Sequence, residues 1–121
     1  MSRFTVGEVA RDSGVSRSAI RFYADRGLIT ATRTSGNQRR FDDHAACRVR
    51  VAQVAQRIGL SISAIADLLA TLGPDPAIED WKRVHGALTA QAHRRIAELH
   101  TTLDDISSGR KLCDPGAPPA A

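Results

Sequence analysis

The sequence is poor in the residues that staple, metallate or anchor a chain. Its 121 residues include two cysteines, Cys47 and Cys113, far apart and matching no metal-ligand spacing such as C-x-x-C. No metal site is expected from them, and a cytoplasmic protein with reduced thiols is the default expectation. No stretch approaches the ~20 apolar residues that span a bilayer. The opening MSRFTVGEVARDSG has no apolar signal-peptide core, so neither a membrane partner nor export is expected. Three Phe, one Tyr and one Trp are all the aromatics, so the core must be mostly aliphatic, which suits packed helices. A nucleophile–base pair, a phosphate-binding glycine loop and clustered carboxylates are also missing, which argues against an enzyme.

What the chain does have is 42% hydrophobic residues, enough for one compact domain plus an appendage, and an uneven charge. Residues 1–58 carry eleven Arg against five acids, a net of +6. Residues 59–121 carry six Lys or Arg against eight acids, a net of −2, and the two sum to the formal +4. Fifteen of the seventeen basic residues are Arg, the side chain that grips phosphate and base edges bidentately. A basic amino-terminal half points to a polyanionic partner. A coding bias toward arginine is the competing account of the charge taken alone.

Along the chain, Thr5 with Glu8 three residues on reads as a capping box opening a helix with Val6, Val9 and Ala10 on one stripe, stopped by Gly14. Ser16 caps a second helix through Arg26, ending at Gly27. In it Ile20 with Ala24, and Ala19 with Tyr23, can face a common core. Two short helices separated by G-V-S make a helix-turn-helix candidate, although many helical hairpins have this form without touching DNA. Leu28–Arg33 then reads as a strand, Thr34–Asn37 as a turn and Gln38–Phe41 as the returning strand: a small arginine-bearing hairpin, or wing. Asp42 or Asp43 is expected to cap a helix to about Ile58, with Val51, Val54, Ala55 and Ile58 on its apolar face and Cys47 packed in the core. Ser61 caps a further helix through Leu72, with Ile62, Ile65, Ala66, Leu68 and Leu69 as its apolar face. Gly73-Pro74-Asp75-Pro76 breaks it.

From Ile78 to about Ile106 runs one long helical pattern. Its apolar positions, Trp81, Val84, Leu88, Ala92, Ile96, Leu99, Leu103 and Ile106, step by three, four, four, four, three, four and three, a heptad-like seam with one stutter. A helix of ~29 residues is ~43 Å long, more than a domain this size can cover. A second copy of the chain is the simplest partner; folding back on its own domain is the alternative. The expected organisation is a mainly α protein: a winged-helix DNA-binding domain over 1–73, a long dimerisation helix over 74–108 and a short flexible tail over 109–121.

The run T-V-G-E-V-A-R-D-S-G-V-S-R-S-A-I-R-F-Y-A-D-R-G-L-I, Thr5 to Ile29, resembles the opening of the MerR family of bacterial regulators. S-G-N-Q-R-R-F at Ser35–Phe41 and A-Q-R-I-G-L-S-I at Ala55–Ile62 extend the match, which covers residues 4 to about 108. Within the family, the wing segment and Trp81-Lys82 look most like the SoxR branch. The resemblance implies a winged helix-turn-helix, a second helix pair and a long helix pairing antiparallel in a homodimer. It further implies a pseudo-palindromic operator in promoter DNA with an over-long spacer, which the dimer bends and untwists so that RNA polymerase engages it. One departure matters. The SoxR branch places four cysteines just after the long helix to hold an iron–sulfur centre, whereas this chain reads S-S-G-R-K-L-C-D-P-G there, with Cys113 alone. Neither that cluster nor the cysteine pair of metal-sensing relatives is expected, and no cofactor is assigned.

The residues expected at DNA are Ser16, Arg17, Ser18 and Arg21 on the second helix and Asn37, Gln38, Arg39 and Arg40 in the wing, where Arg39 and Arg40 would hold phosphate or reach the minor groove and Asn37 and Gln38 shape the hairpin tip. Tyr23 matches the place where family members commonly offer a phenolic hydroxyl to phosphate; a pure core role is the alternative. Phe22 is open between core and DNA, and Arg57 is a weaker phosphate candidate. Cys113 is either a redox or electrophile sensor or a thiol without a role. Trp81, His85 and His93 either line a small effector cavity or, for Trp81, simply pack. Two functions compete: a promoter-distorting regulator answering a small-molecule or redox signal, and an architectural protein that bends DNA constitutively.

Overall fold

The computed structural model describes residues 3–110 together with Leu112 and Cys113. Most of the expected tail, 109–121, lies outside the described residues. Among the described residues, five helices and one two-stranded sheet follow in the order α1 Val6–Ser13, α2 Arg17–Asp25, β1 Ala31–Arg33, β2 Arg39–Phe41, α3 Ala45–Arg57, α4 Ile62–Ala70 and α5 Ile78–Ser107. The first turn of α1 is closed reciprocally. The Thr5 N–H donates to Glu8 Oε1 at 3.0 Å, and the Thr5 hydroxyl accepts the Glu8 N–H at 3.1 Å. Gly14, with φ +77, ends the helix in the left-handed region that a Cβ disfavours. The Ser16 hydroxyl then accepts the Ala19 N–H at 3.1 Å and starts α2.

The same device recurs. Gly59-Leu60-Ser61-Ile62-Ser63-Ala64-Ile65 repeats Gly14-Val15-Ser16-Arg17-Ser18-Ala19-Ile20 at five of seven positions. Ser16 has φ −71 and ψ 158, and Ser61 has φ −72 and ψ 158. Val15 N–H bonds to Ala10 O at 3.2 Å, and Leu60 N–H to Ala55 O at 3.0 Å. Among the described residues the fold therefore holds two helix-turn-helix units, α1–α2 and α3–α4, which differ along their second helices. Where the first carries Arg17 and Arg21, the second carries Ile62 and Ala66, both half-buried against the core.

One core joins these units. Val9, Ile20, Phe41, Val49, Ala55, Ile65, Leu69 and Val84 are each at most 2% exposed, and sealing each of the larger side chains contributes about 1.5–3 kcal/mol. Phe41 is the hinge of the wing: it pairs with Ala31 across the hairpin and forms a bridge to Phe4, with N–H···O distances of 2.8 and 3.0 Å. No local pattern in the sequence announces that bridge.

Several expectations are corrected. The strand spans only Ala31–Arg33, because Leu28 and Ile29 turn inward to the core. Neither Asp42 nor Asp43 is the N-cap of α3; His44 holds that position, and the Asp42 carboxylate accepts the His44 N–H at 2.9 Å in the preceding turn. The buried face of α3 is Ala45, Val49, Val51, Ala52 and Ala55, which leaves Val54 exposed. Cys47 is exposed as well, because it sits two residues, roughly 200°, around the helix from Ala45. Helix α4 stops at Ala70, and Leu72 is buried beyond its end.

Helix α5 begins where the Asp80 carboxylate accepts the Ala77 N–H at 2.8 Å. Its first turns belong to the chain's own core: Val84 and Leu88, expected in a dimer seam, are buried within the chain, and Trp81 is half-buried beside His44. Farther on the helix leaves the body. Ile96, Leu99, Leu103 and Ile106 are 51–57% exposed on one face.

Candidate nucleic-acid interface

Helix α2 and the wing are joined by a short run of chain around Leu28 and Ile29, whose burial pins the hairpin against the helix. The result is a groove lined by Thr5, Val6 and Gly7 at the start of α1, Arg17 and Arg21 from α2, and Arg33, Asn37, Gln38, Arg39 and Arg40 from the wing. Of the residues expected to touch DNA, Arg17, Arg21, Asn37, Gln38, Arg39 and Arg40 line this groove, and Ser16 caps α2 beside it. Ser18 is exposed on α2 but does not line the groove, and Tyr23 is in the core. The sequence does not mark Arg33, Thr5, Val6 and Gly7 as groove residues, although Arg33 faces Arg39 in the hairpin register. Gly7 makes room: a methyl added there would come within 2.8 Å of the Arg17 guanidinium, which lies across α1.

The turn of the wing is held internally. Thr34 N–H donates to Gln38 O at 2.9 Å, Asn37 N–H to Thr34 O at 2.9 Å, and Gln38 N–H to the Thr34 hydroxyl at 3.2 Å. Asn37 takes φ +61, a left-handed conformation that asparagine tolerates better than most side chains. Arg33 reaches Asn37 O at 3.0 Å, bracing the tip. Among the described residues, Arg17, Arg21, Arg33 and Arg40 line the groove without making an ion pair, although the charge of Arg40 is felt by the Glu8 carboxylate. Arg39 differs. It pairs with Asp25 at 2.8 Å and donates to Arg21 O at 3.3 Å.

The Tyr23 hydroxyl donates to Gln56 Oε1 at 2.7 Å, and burial raises its pKa above the ordinary tyrosine value. Phe22 is exposed, with the Arg26 guanidinium 5.0 Å above its ring. Arg57 is exposed at the end of α3, away from the groove lining. His85 and His93 are exposed on α5, and Cys113 is an exposed free thiol. With two cysteines in the sequence, one on α3 and one after α5, the donors present do not fit a centre that takes four clustered thiolates.

A basic groove between a capped helix and an arginine-bearing hairpin, on a scaffold of paired helix-turn-helix units, defines a winged-helix nucleic-acid-binding protein. The particular family follows from comparison with known proteins. The family model described as MerR HTH family regulatory protein matches residues 4–72, and a second, described as MerR, DNA binding, matches residues 47–108. The chain belongs to the MerR family and is a DNA-binding transcriptional regulator, not an enzyme. It is similar to the HTH-type transcriptional activator SoxR homolog of Chromobacterium violaceum, 37% identical over 109 residues that cover 88% of this chain and 74% of that protein. Among solved structures it resembles a MerR family transcriptional regulator from Listeria monocytogenes, with TM-score 0.60 and 26% identity over 87% of this chain and 81% of the other. It also resembles HiNmlR, a MerR family regulator lacking the sensor domain, bound to promoter DNA, with TM-score 0.57 and 27% identity over 89% of this chain and 86% of the other. Among the described residues, no helix is long and apolar enough to cross a membrane.

Proposed function

We propose that the chain acts as a homodimer that lays α2 in the major groove of promoter DNA and sets the wing against the flanking backbone. By distorting that DNA, it changes how RNA polymerase engages the promoter. The observation that carries this reading is the groove itself: Arg17 and Arg21 from α2 share it with Arg33, Asn37, Gln38 and Arg40 from the wing, and none of these four arginines is neutralised by an acid among the described residues. In this reading Arg17 and Arg21 meet base edges or phosphate, while Arg33 and Arg40 hold backbone phosphates. Ser16 and Ser18, at the start of α2, stand beside the same strand.

Binding by the part of the fold present here is supported by HiNmlR, which lacks the sensor domain, is covered over 86% of its length by this chain and is seen on promoter DNA. The exposed face Ile96, Leu99, Leu103 and Ile106 supplies the second half of the operator reader. A two-fold pair of chains presents two grooves to a pseudo-palindrome.

Run-off transcription from the promoter region upstream of the chain's own gene tests the reading. Added protein is expected to change the transcript level, and Arg21→Ala to abolish the change. A transcript that does not respond under any condition refutes regulation there. The same assay with a thiol oxidant, on wild type and Cys113→Ser, assigns a redox signal to Cys113 if only wild type responds. Equal output with and without oxidant makes Cys113 incidental and turns the search to small molecules that bind near Trp81.

A further inference from the structure

Arg39 is the wing arginine that does not face the groove free. Its side chain is 20% exposed; one guanidinium nitrogen lies 2.8 Å from Asp25 Oδ1, and another donates to Arg21 O at 3.3 Å. Asp25 is the last residue of α2, and Arg39 is the first of β2. The Arg21 carbonyl lies in the closing turn of α2, so the guanidinium sits at the negative end of that helix, where a cation is favoured. The hairpin has three residues per strand and is anchored to the body at its base through Phe41. Farther out, Arg33 and Arg40 bond only within the wing. Among the described side chains, Arg39 alone hydrogen-bonds the wing to α2.

We propose that Arg39 and Asp25 form a strut that fixes the angle between the DNA-reading helix and the wing, so that Arg39 acts as a positioning residue for operator binding rather than as a phosphate ligand. This rests on the DNA-binding reading above. A helix in the major groove and a hairpin on the neighbouring backbone engage together at only a narrow range of angles, and a three-residue hairpin held at its base has little resistance to swinging. The strut supplies that resistance and leaves the charges that face the groove free for DNA.

The sign of one substitution separates strut from ligand. If Arg39 grips phosphate, Asp25 is a nearby negative charge that opposes DNA, and Asp25→Asn tightens binding. If the pair is a strut, Asp25→Asn weakens binding although the protein becomes more basic. The probe is a duplex selected by the wild-type chain from a randomised library, with Kd measured by fluorescence anisotropy well below the thermal midpoint. The expected result is a Kd rise of about fivefold per subunit, the upper end for one exposed ion pair. Arg39→Ala/Asp25→Asn should be no worse than Arg39→Ala alone, and Arg39→Lys should recover part of the loss. Fold loss is checked by circular dichroism, and an exposed pair leaves the spectrum unchanged. An unchanged or lower Kd for Asp25→Asn overturns the strut while DNA binding stands. Failure of wild type to select any duplex overturns both.

Discussion

Truncating Leu103 to alanine tests the dimer through the part of α5 whose apolar face is left exposed by the other described residues. Leu103 is 57% exposed, and Ile96, Leu99 and Ile106 on the same face are 51–55% exposed. Full burial of a leucine is worth about 1.5–3 kcal/mol, so sealing what remains open contributes about 1–1.5 kcal/mol per copy. A residual cavity at the interface raises the loss on truncation to about 2 kcal/mol. A two-fold axis counts the site twice, giving about 4 kcal/mol, or about a thousandfold in the dimer dissociation constant. Sedimentation equilibrium over a concentration series reads that constant directly. Hydrogen exchange adds a second reading, because the final turns of α5, without a partner, are too short to be stable helix by themselves. Protection of residues 96–107 should therefore fall together with dimer population. A wild-type chain that sediments as a monomer throughout, or an alanine variant with an unchanged dissociation constant, refutes the reasoning.

Other perturbations read other parts of the structure. Thr5→Ala removes the cap of α1 and should cost about 1 kcal/mol in urea unfolding. Two N–H groups, of Thr5 on Glu8 and of Ala77 on Asp80, hold those carboxyl pKa values below their ordinary ranges, aided respectively by the Thr5 hydroxyl and by Arg83. A lowered acid stabilises fully above its unfolded pKa and stops doing so as pH falls through its folded value. The thermal midpoint should therefore drop in that acid window, and less so in Glu8→Gln/Asp80→Asn. Tyr23→Phe removes the hydrogen bond to Gln56 Oε1 and should cost about 1 kcal/mol of stability; unchanged stability together with weaker DNA binding would instead place the hydroxyl's work at phosphate. Arg40→Ala should weaken DNA binding and flatten the dependence of log Kd on log salt by about 0.9 for each phosphate that Arg40 neutralises; an unchanged slope excludes Arg40 from the backbone.

How far the sequence can be read follows the range of the interactions concerned. Thr5 with Glu8, Ser16 with Ala19 and Ser61 with Ala64 bond within four residues, and each cap forms where the local pattern places it. The face of α3 is read in part: Val51 and Ala55 are buried and Ile58 packs against the core as their spacing predicts, but Val54 is exposed while Ala45, Val49 and Ala52 are buried. Periodicity finds a stripe, but its exact centre and edges are decided by neighbours distant in sequence. The bridge between Phe4 and Phe41 and the bond between Tyr23 and Gln56 are illegible for the same reason, their partners lying 37 and 33 positions apart. For α5 the apolar pattern runs along one continuous helix, yet Val84 and Leu88 bury their part of it inside the chain while Ile96, Leu99, Leu103 and Ile106 leave theirs open. Arg39 and Arg40 show the limit most sharply. They are adjacent, identical and both in a wing, so residue type and spacing assign them one role. Only the placement of Asp25 at the end of α2, 14 positions away, separates an arginine paired with an acid from one that is not.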